Sequence, residues 1–180
     1  EIDLGLYRVK ISRLSLSGEM AFEINCLTSE HVGLRNILLE AGQKIGIKEI
    51  GFDAMLSLRL EKSIGIWNAE FTQGYTPAMT GLDQWCDWDK GDFIGRKAAQ
   101  KSLNPKQILT MLEIDAEDAD ATGFEPVWSD DKVIGMTTSG GYGHRMKRSY
   151  ALAMLDKTHA EIGKKVFVHV VGKKRIAQII

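Results

Sequence analysis

The sequence predicts an α+β chain: a mixed helix and strand segment over residues 1–103, followed by a small antiparallel β-barrel over residues 104–180. Three observations carry this. Apolar residues Leu34, Ile37, Leu38 and Ala41 recur at helical spacing in the first half. Helical patterning fades after Asn104-Pro105. Five short β-rich runs separated by turn residues then follow at the close spacing of a small barrel.

In chain order, Leu6–Ile11 alternates apolar and polar residues, and Met20–Cys26 is a second short apolar run. Ser17-Gly18-Glu19 lies between them, so the pair reads as two strands around a turn. Thr28 or Ser29 is expected to cap the helix that follows, and Gly42 to end it. Residues 52–62 admit two readings: Leu56–Glu61 alternates like a strand, whereas Phe52, Met55, Leu56, Leu60 and Ile64 fit one helical face. Asp53, as a helix cap, favours the helix. Asp92 is expected to cap a short helix through Ala99. The barrel strands are placed at Gln107–Ile114, Val127–Trp128, Val133–Ser139, Tyr150–Leu155 and Lys165–Val171, with Ile180 inside a further strand-like run.

Lysine plus arginine total 23 against 24 for aspartate plus glutamate, a net charge of −1. That balance argues against a nucleic-acid or anionic-membrane surface, either of which needs a clustered basic field. No apolar run reaches the length of a membrane span, and Cys26 and Cys86 form no recognisable framework, so the expected setting is cytoplasmic. The sequence opens on Glu1 rather than Met and stops within a strand-like run, which suggests a piece of a longer chain.

Candidate chemistry is sparse. His31, His144, His159 and His169 show no ligand-like pairing, and two cysteines make no zinc site. Asp115, Glu117, Asp118 and Asp120 lack the glycine spacing of a calcium loop and read as a solvated acidic loop. Ser139-Gly140-Gly141-Tyr142-Gly143 lacks the Gly-Lys-Ser/Thr ending of a phosphate cradle and reads as a turn between barrel strands. Trp67, Trp85 and Trp88 surround Thr76-Pro77 in sequence; tryptophans ordinarily pack at a core edge, and Trp85 is the candidate for a cavity wall. Glu23 taken alone reads as a solvated strand residue on the face opposite Phe22. A carboxylate fixed there has two oxygens and accepts a pair of parallel N–H donors.

Three blocks in this order and at this spacing carry a resemblance: Gly51–Lys62 (with Ser57-Leu58-Arg59-Leu60-Glu61 at its centre), Thr76-Pro77-Ala78-Met79-Thr80-Gly81-Leu82, and Lys90-Gly91-Asp92-Phe93-Ile94-Gly95-Arg96. Together they resemble the tetrahydrofolate-binding aminomethyltransferase family. Residues Phe71–Pro77 and Trp88–Phe93 are most similar to the copy fused to FAD-dependent dimethylglycine and sarcosine dehydrogenases. Met55 stands where stand-alone members carry a ligand-contacting Arg, which also points to the fused branch. Asp92 stands where relatives in iron–sulfur maintenance carry a Cys.

The resemblance implies the second half of a folate-binding α/β domain over residues 1–103, and the family's C-terminal barrel, cut at its end, over residues 104–180. Ser17–Ile24 matches the family's Gly-Glu-x-Gly-aromatic-Glu, whose second Glu grips the pterin; Glu23 holds that position, with Leu16 and Ala21 as departures from the pattern. The implied folate-binding residues are Glu23, Asn25 and Trp85; Arg59 and Glu61 are implied to be structural. The implied reaction moves a one-carbon unit from an aminomethyl or iminium species onto folate N5. No catalytic residue and no metal is expected in this stretch, because the family's general-base Asp lies in the N-terminal half. FAD and a methylated glycine-type substrate are implied for the missing N-terminal region of the parent chain. The alternatives are a piece of a stand-alone glycine-cleavage aminomethyltransferase and a folate-fold binding module without catalysis.

Overall fold

A computed structural model describes residues 1–180. Two compact units divide between Lys62 and Ser63, and each is described by itself. In the first, β1 (Ile2–Leu4), β2 (Tyr7–Ser12) and β3 (Glu23–Asn25) form an antiparallel sheet in that order. Alternation along β2 sends Val9 into the core and leaves Arg8 and Lys10 exposed, the signature of a sheet with one face covered. Helix α1 (His31–Gly42) buries Leu34, and α2 (Phe52–Leu60) buries Arg59 and Leu60.

Helix starts differ from expectation. Thr28–Glu30 is a 3₁₀ turn rather than a cap, and α1 begins at His31 with no side-chain cap hydrogen bond. Gly51 is the N-cap of α2, placing Asp53 in the first turn, where its charge still favours the helix dipole. Asp92 caps nothing: α3 (Arg96–Lys101) starts after Gly95, whose φ of 89° is a conformation that favours glycine. The 88–95 loop is instead held by Arg96, which donates to the carbonyls of Trp88 (2.7 Å) and Gly91 (2.9 Å).

The second unit is built on a closed antiparallel barrel in the order β4-β7-β6-β5-β8-β9. Its strands are β4 (Gln107–Ile114), β5 (Pro126–Ser129), β6 (Lys132–Gly143), β7 (Arg148–Asp156), β8 (Lys165–Val170) and β9 (Lys173–Ile179). The predicted barrel is therefore present, with a sixth strand formed by the run that contains Ile179. β4 and β7 pair over their whole matched length, from Gln107 with Asp156 to Ile114 with Ser149. Val166, Val168 and Val170 alternate into the same core as Leu112, Leu155 and Ile179.

Ser139–Gly143 is not a turn. All five residues lie in β6 and pair with β7, beyond a bulge between Thr137 and Ser139. Gly140 is required because the 115–125 connection crosses it: a Cβ there would stand 2.7 Å from the carbonyl carbon of Ala121 and 2.9 Å from its Cβ. The acidic loop is also tied down. Lys173 donates to Asp118 at 2.9 Å and Arg175 pairs with its other oxygen. Hydrogen bonding from Lys173 holds the Asp118 carboxyl below the usual aspartate range.

Glu125 closes the same connection. Burial pushes its carboxyl up, but hydrogen bonds from Thr122, the Thr137 hydroxyl and Gly123 outweigh burial and hold it below its ordinary value. A carboxyl depressed on folding stabilises the native state above its unfolded pKa, and that contribution is lost as pH falls through the folded value. The urea midpoint of the protein is thus expected to fall on acidification below the usual glutamate range. The fall should be smaller in Glu125→Gln, and an identical acid slope in that variant would remove Glu125 from the account.

Candidate functional site

Four polar side chains share one face of the β2–β3 pair. Ser12 is directly opposite Glu23, and Lys10 directly opposite Asn25. Residues facing each other across antiparallel strands lie on the same side of the sheet, and those two apart along a strand do too. Ile11 and Ile24, the pair between them, face the other side, where Ile24 lines a cavity of about 310 Å³ with Leu34 and Leu38 of α1. The apolar face is thereby covered and the polar face left open.

Glu23 is exposed and already oriented: the Asn25 side-chain amide donates to its Oε1 at 3.1 Å. Each carboxylate oxygen has two lone pairs, so this contact leaves acceptor capacity on both oxygens. Strand alternation puts Glu23 and Asn25 on one face, and the 13–22 loop, turning at Gly18 with φ of 76°, delivers β3 to β2. The structure brings these two predicted residues together. Lys10 and Ser12 complete the patch; the alternation Arg8, Lys10, Ser12 was the signal that could have found them.

Trp85, the third predicted residue, belongs to the second unit, in a 3₁₀ turn at Leu82–Trp85, and is 79% exposed. Trp67 and Trp88 find phenylalanine partners: Trp67 meets Phe71 edge-on with centroids 6.5 Å apart, and Trp88 lies 6.3 Å from Phe93. Trp67 is itself 80% exposed.

Glu70 was not anticipated. It is fully buried, and its carboxyl group accepts from the Ile66 N–H (3.0 Å) and from the hydroxyls of Thr138 (2.5 Å) and Ser139 (2.6 Å). This joins the 66–71 turn to the barrel bulge. Nothing in sequence spacing links positions 68 residues apart.

On the barrel, a groove of about 590 Å³ is lined by Glu113, Tyr142, Lys147, Arg148, Ser149 and Lys165 among others. No three or more His, Cys, Asp or Glu side chains gather as a metal-holding group, and no helix is long and apolar enough to cross a membrane.

The model of the GCVT N-terminal domain matches residues 1–90, and that of the glycine cleavage T-protein C-terminal barrel domain matches residues 108–180. The chain is 35% identical over 171 residues to mitochondrial dimethylglycine dehydrogenase of Homo sapiens, covering 93% of this chain and 20% of that protein. It is 32% identical over 181 residues to an aminomethyltransferase of Halalkalibacterium halodurans, covering 99% of this chain and 49% of that one. Among solved structures, the glycine cleavage system aminomethyltransferase T of Bartonella henselae superposes with a TM-score of 0.81 at 26% identity, over 94% of this chain and 47% of that chain. The chain thus spans about half the length of the aminomethyltransferases and a fifth of the dehydrogenases that it matches.

Proposed function

This chain belongs to the glycine cleavage T-protein family, and from that premise we propose that it is the tetrahydrofolate-binding portion of a one-carbon transfer enzyme. The observation that carries the proposal is the Glu23–Asn25 pair on an open strand face. A pterin presents its 2-amino group and adjacent ring N–H side by side, and a carboxylate with both oxygens available accepts that pair. The residues present fit the group.

Within this reading Glu23 holds the pterin edge, and Asn25 keeps the Glu23 carboxylate from rotating away. Tetrahydrofolate, when bound, supplies a nucleophilic nitrogen at N5 that takes up the one-carbon unit. Orientation of that nitrogen against a carbon electrophile supplies much of what such a site contributes. The proton-accepting group is assigned to a part of the polypeptide outside these residues, so this stretch alone is proposed to bind without turning over. Trp85 is retained as a candidate folate contact on the strength of its exposed ring.

The parent is proposed to be a dehydrogenase of the dimethylglycine and sarcosine type, in which an FAD-bearing part oxidises a methylated glycine and the folate part receives the one-carbon unit. Met55 supports this branch, and Asp92 speaks against the iron–sulfur relatives. No strand–Gly-x-Gly-x-x-Gly–helix unit lies in these residues, so FAD is assigned elsewhere in the polypeptide.

Glu23→Gln in the complete gene product tests the assignment. The loss of a hydrogen-bonded charged acceptor is expected to weaken tetrahydrofolate binding by about 1.5–3 kcal/mol in titration calorimetry. Unchanged affinity would favour a folate-fold module that binds something else.

A further inference from the structure

Resting on the folate reading, we propose that Lys10 is a second recognition residue of the pterin site, reading the 4-oxo group and so distinguishing 4-oxo from 4-amino pteridines.

The pterin edge sets the requirement. Its three neighbouring groups are the 2-amino donor, the N3–H donor and the O4 acceptor. Glu23 accepts from the two donors but has nothing to offer O4, since an ionised carboxylate is acceptor-only. Setting a donor beside the carboxylate completes the pattern. A pocket that left O4 facing a second acceptor, or facing nothing, would forfeit a hydrogen bond at each binding event.

Lys10 meets that need by position. It is directly opposite Asn25 and diagonal to Glu23 on the same sheet face. Such diagonal neighbours lie about 7–8 Å apart, with their Cβ atoms somewhat closer, within the span of one ring edge plus a flexible four-carbon stem. Lys10 is exposed, and no carboxylate in the structure forms an ion pair with it, so its ammonium is not already committed. Asn25, by contrast, spends its amide donor on Glu23. The remaining member of the face, Ser12, carries a short hydroxyl opposite Glu23 and lacks the reach.

The assignment explains the local charge arrangement. Tyr7, Val9 and Ile11 occupy the covered side of β2, and its open side runs Arg8, Lys10, Ser12 toward the carboxylate of β3. A donor on the neighbouring strand, rather than on β3 itself, sits alongside the carboxylate instead of in line with it. That is the arrangement a planar, three-group edge requires.

The test uses the complete gene product, with tetrahydrofolate and its 4-amino-4-deoxy analogue as probes, read by titration calorimetry. Lys10→Met is expected to weaken tetrahydrofolate by at least about ten-fold, the range for a hydrogen bond to a charged group. Binding of the 4-amino analogue, which turns a donor toward the ammonium, should be unchanged or tighter. Lys10→Arg should restore most of the tetrahydrofolate affinity. Glu23→Gln should weaken tetrahydrofolate, whose 2-amino group and N3–H both donate to that carboxylate. Equal loss of both ligands in Lys10→Met, or no loss of either, overturns the role of Lys10 while leaving the folate reading intact. Failure of the unsubstituted protein to bind either probe overturns both.

Discussion

Replacing Glu70 by alanine is expected to destabilise the unit spanning residues 63–180 by about 3–5 kcal/mol, because three neutral donors lose one shared acceptor at about 1–3 kcal/mol each. The side chain is fully buried, and it satisfies the Ile66 N–H and two hydroxyls, Thr138 and Ser139, at the β6 bulge. Alanine leaves all three donors without that acceptor and opens a cavity of side-chain size. Each buried orphan costs about 1–3 kcal/mol, and water cannot reach them without local opening. The Thr138 hydroxyl has a second acceptor, the Leu152 carbonyl at 3.2 Å, which limits its share of the loss. Glu70→Gln keeps one acceptor oxygen and should cost less than half as much. Urea unfolding gives the magnitudes. Hydrogen exchange gives the location: amides at 66–71, whose N–H groups at Ala69, Glu70 and Phe71 all bond to the Ile66 carbonyl, should lose protection first. A loss below about 1 kcal/mol for Glu70→Ala would show that the 66–71 turn is held by other contacts.

Gly140→Ala is the second large effect, expected at about 3 kcal/mol, the upper part of the range for overpacking. The added methyl would meet the backbone carbonyl and the Cβ of Ala121, itself fully buried. Neither is the free end of a side chain, so relief requires the strand or the crossing connection to move. Gly140 pairs with Ala151 in the central β6–β7 ladder, and that ladder resists such a shift. Gly74→Ala is the matched control: its added methyl would find only the Thr72 hydroxyl, at 3.6 Å, and the change should stay within about 0.5 kcal/mol. Equal stability of the two variants would mean that the 115–125 connection yields more easily than its burial suggests.

Much of this molecule is legible in its residue order. Strand alternation in Tyr7–Ser12 and in Lys165–Val170 marks the inward faces, because a period of two leaves each strand one way to bury its apolar half. The spacing of Leu34, Ile37 and Leu38 announces α1, and the family resemblance rests on blocks short enough to be read locally. Glu23 and Asn25 were also within reach, being two residues apart on one strand. The misreadings share a cause. Ser139–Gly143 has the composition of a turn, yet its glycines serve close backbone approach inside β6, which is visible only once Ala121 is seen to cross it. Asp92 and Asp53 have the chemistry of caps, but glycines at 95 and 51 take those positions. The acidic loop is solvated as read, with Asp115, Glu117 and Asp118 exposed; what the spacing could not show is that Lys173 and Arg175 of β9 meet Asp118 there.

The sequence by itself therefore determined the family, the barrel, and the strand that carries Glu23, since each depends on periodicity or on contiguous residues. Tertiary structure alone decided that Lys10 stands beside Glu23, that Glu70 is a buried anchor, and that Gly140 must lack a side chain. Those facts depend on which strands become neighbours, and juxtaposition across 13, 68 or 19 positions is set by packing of the whole unit, with no trace in local composition.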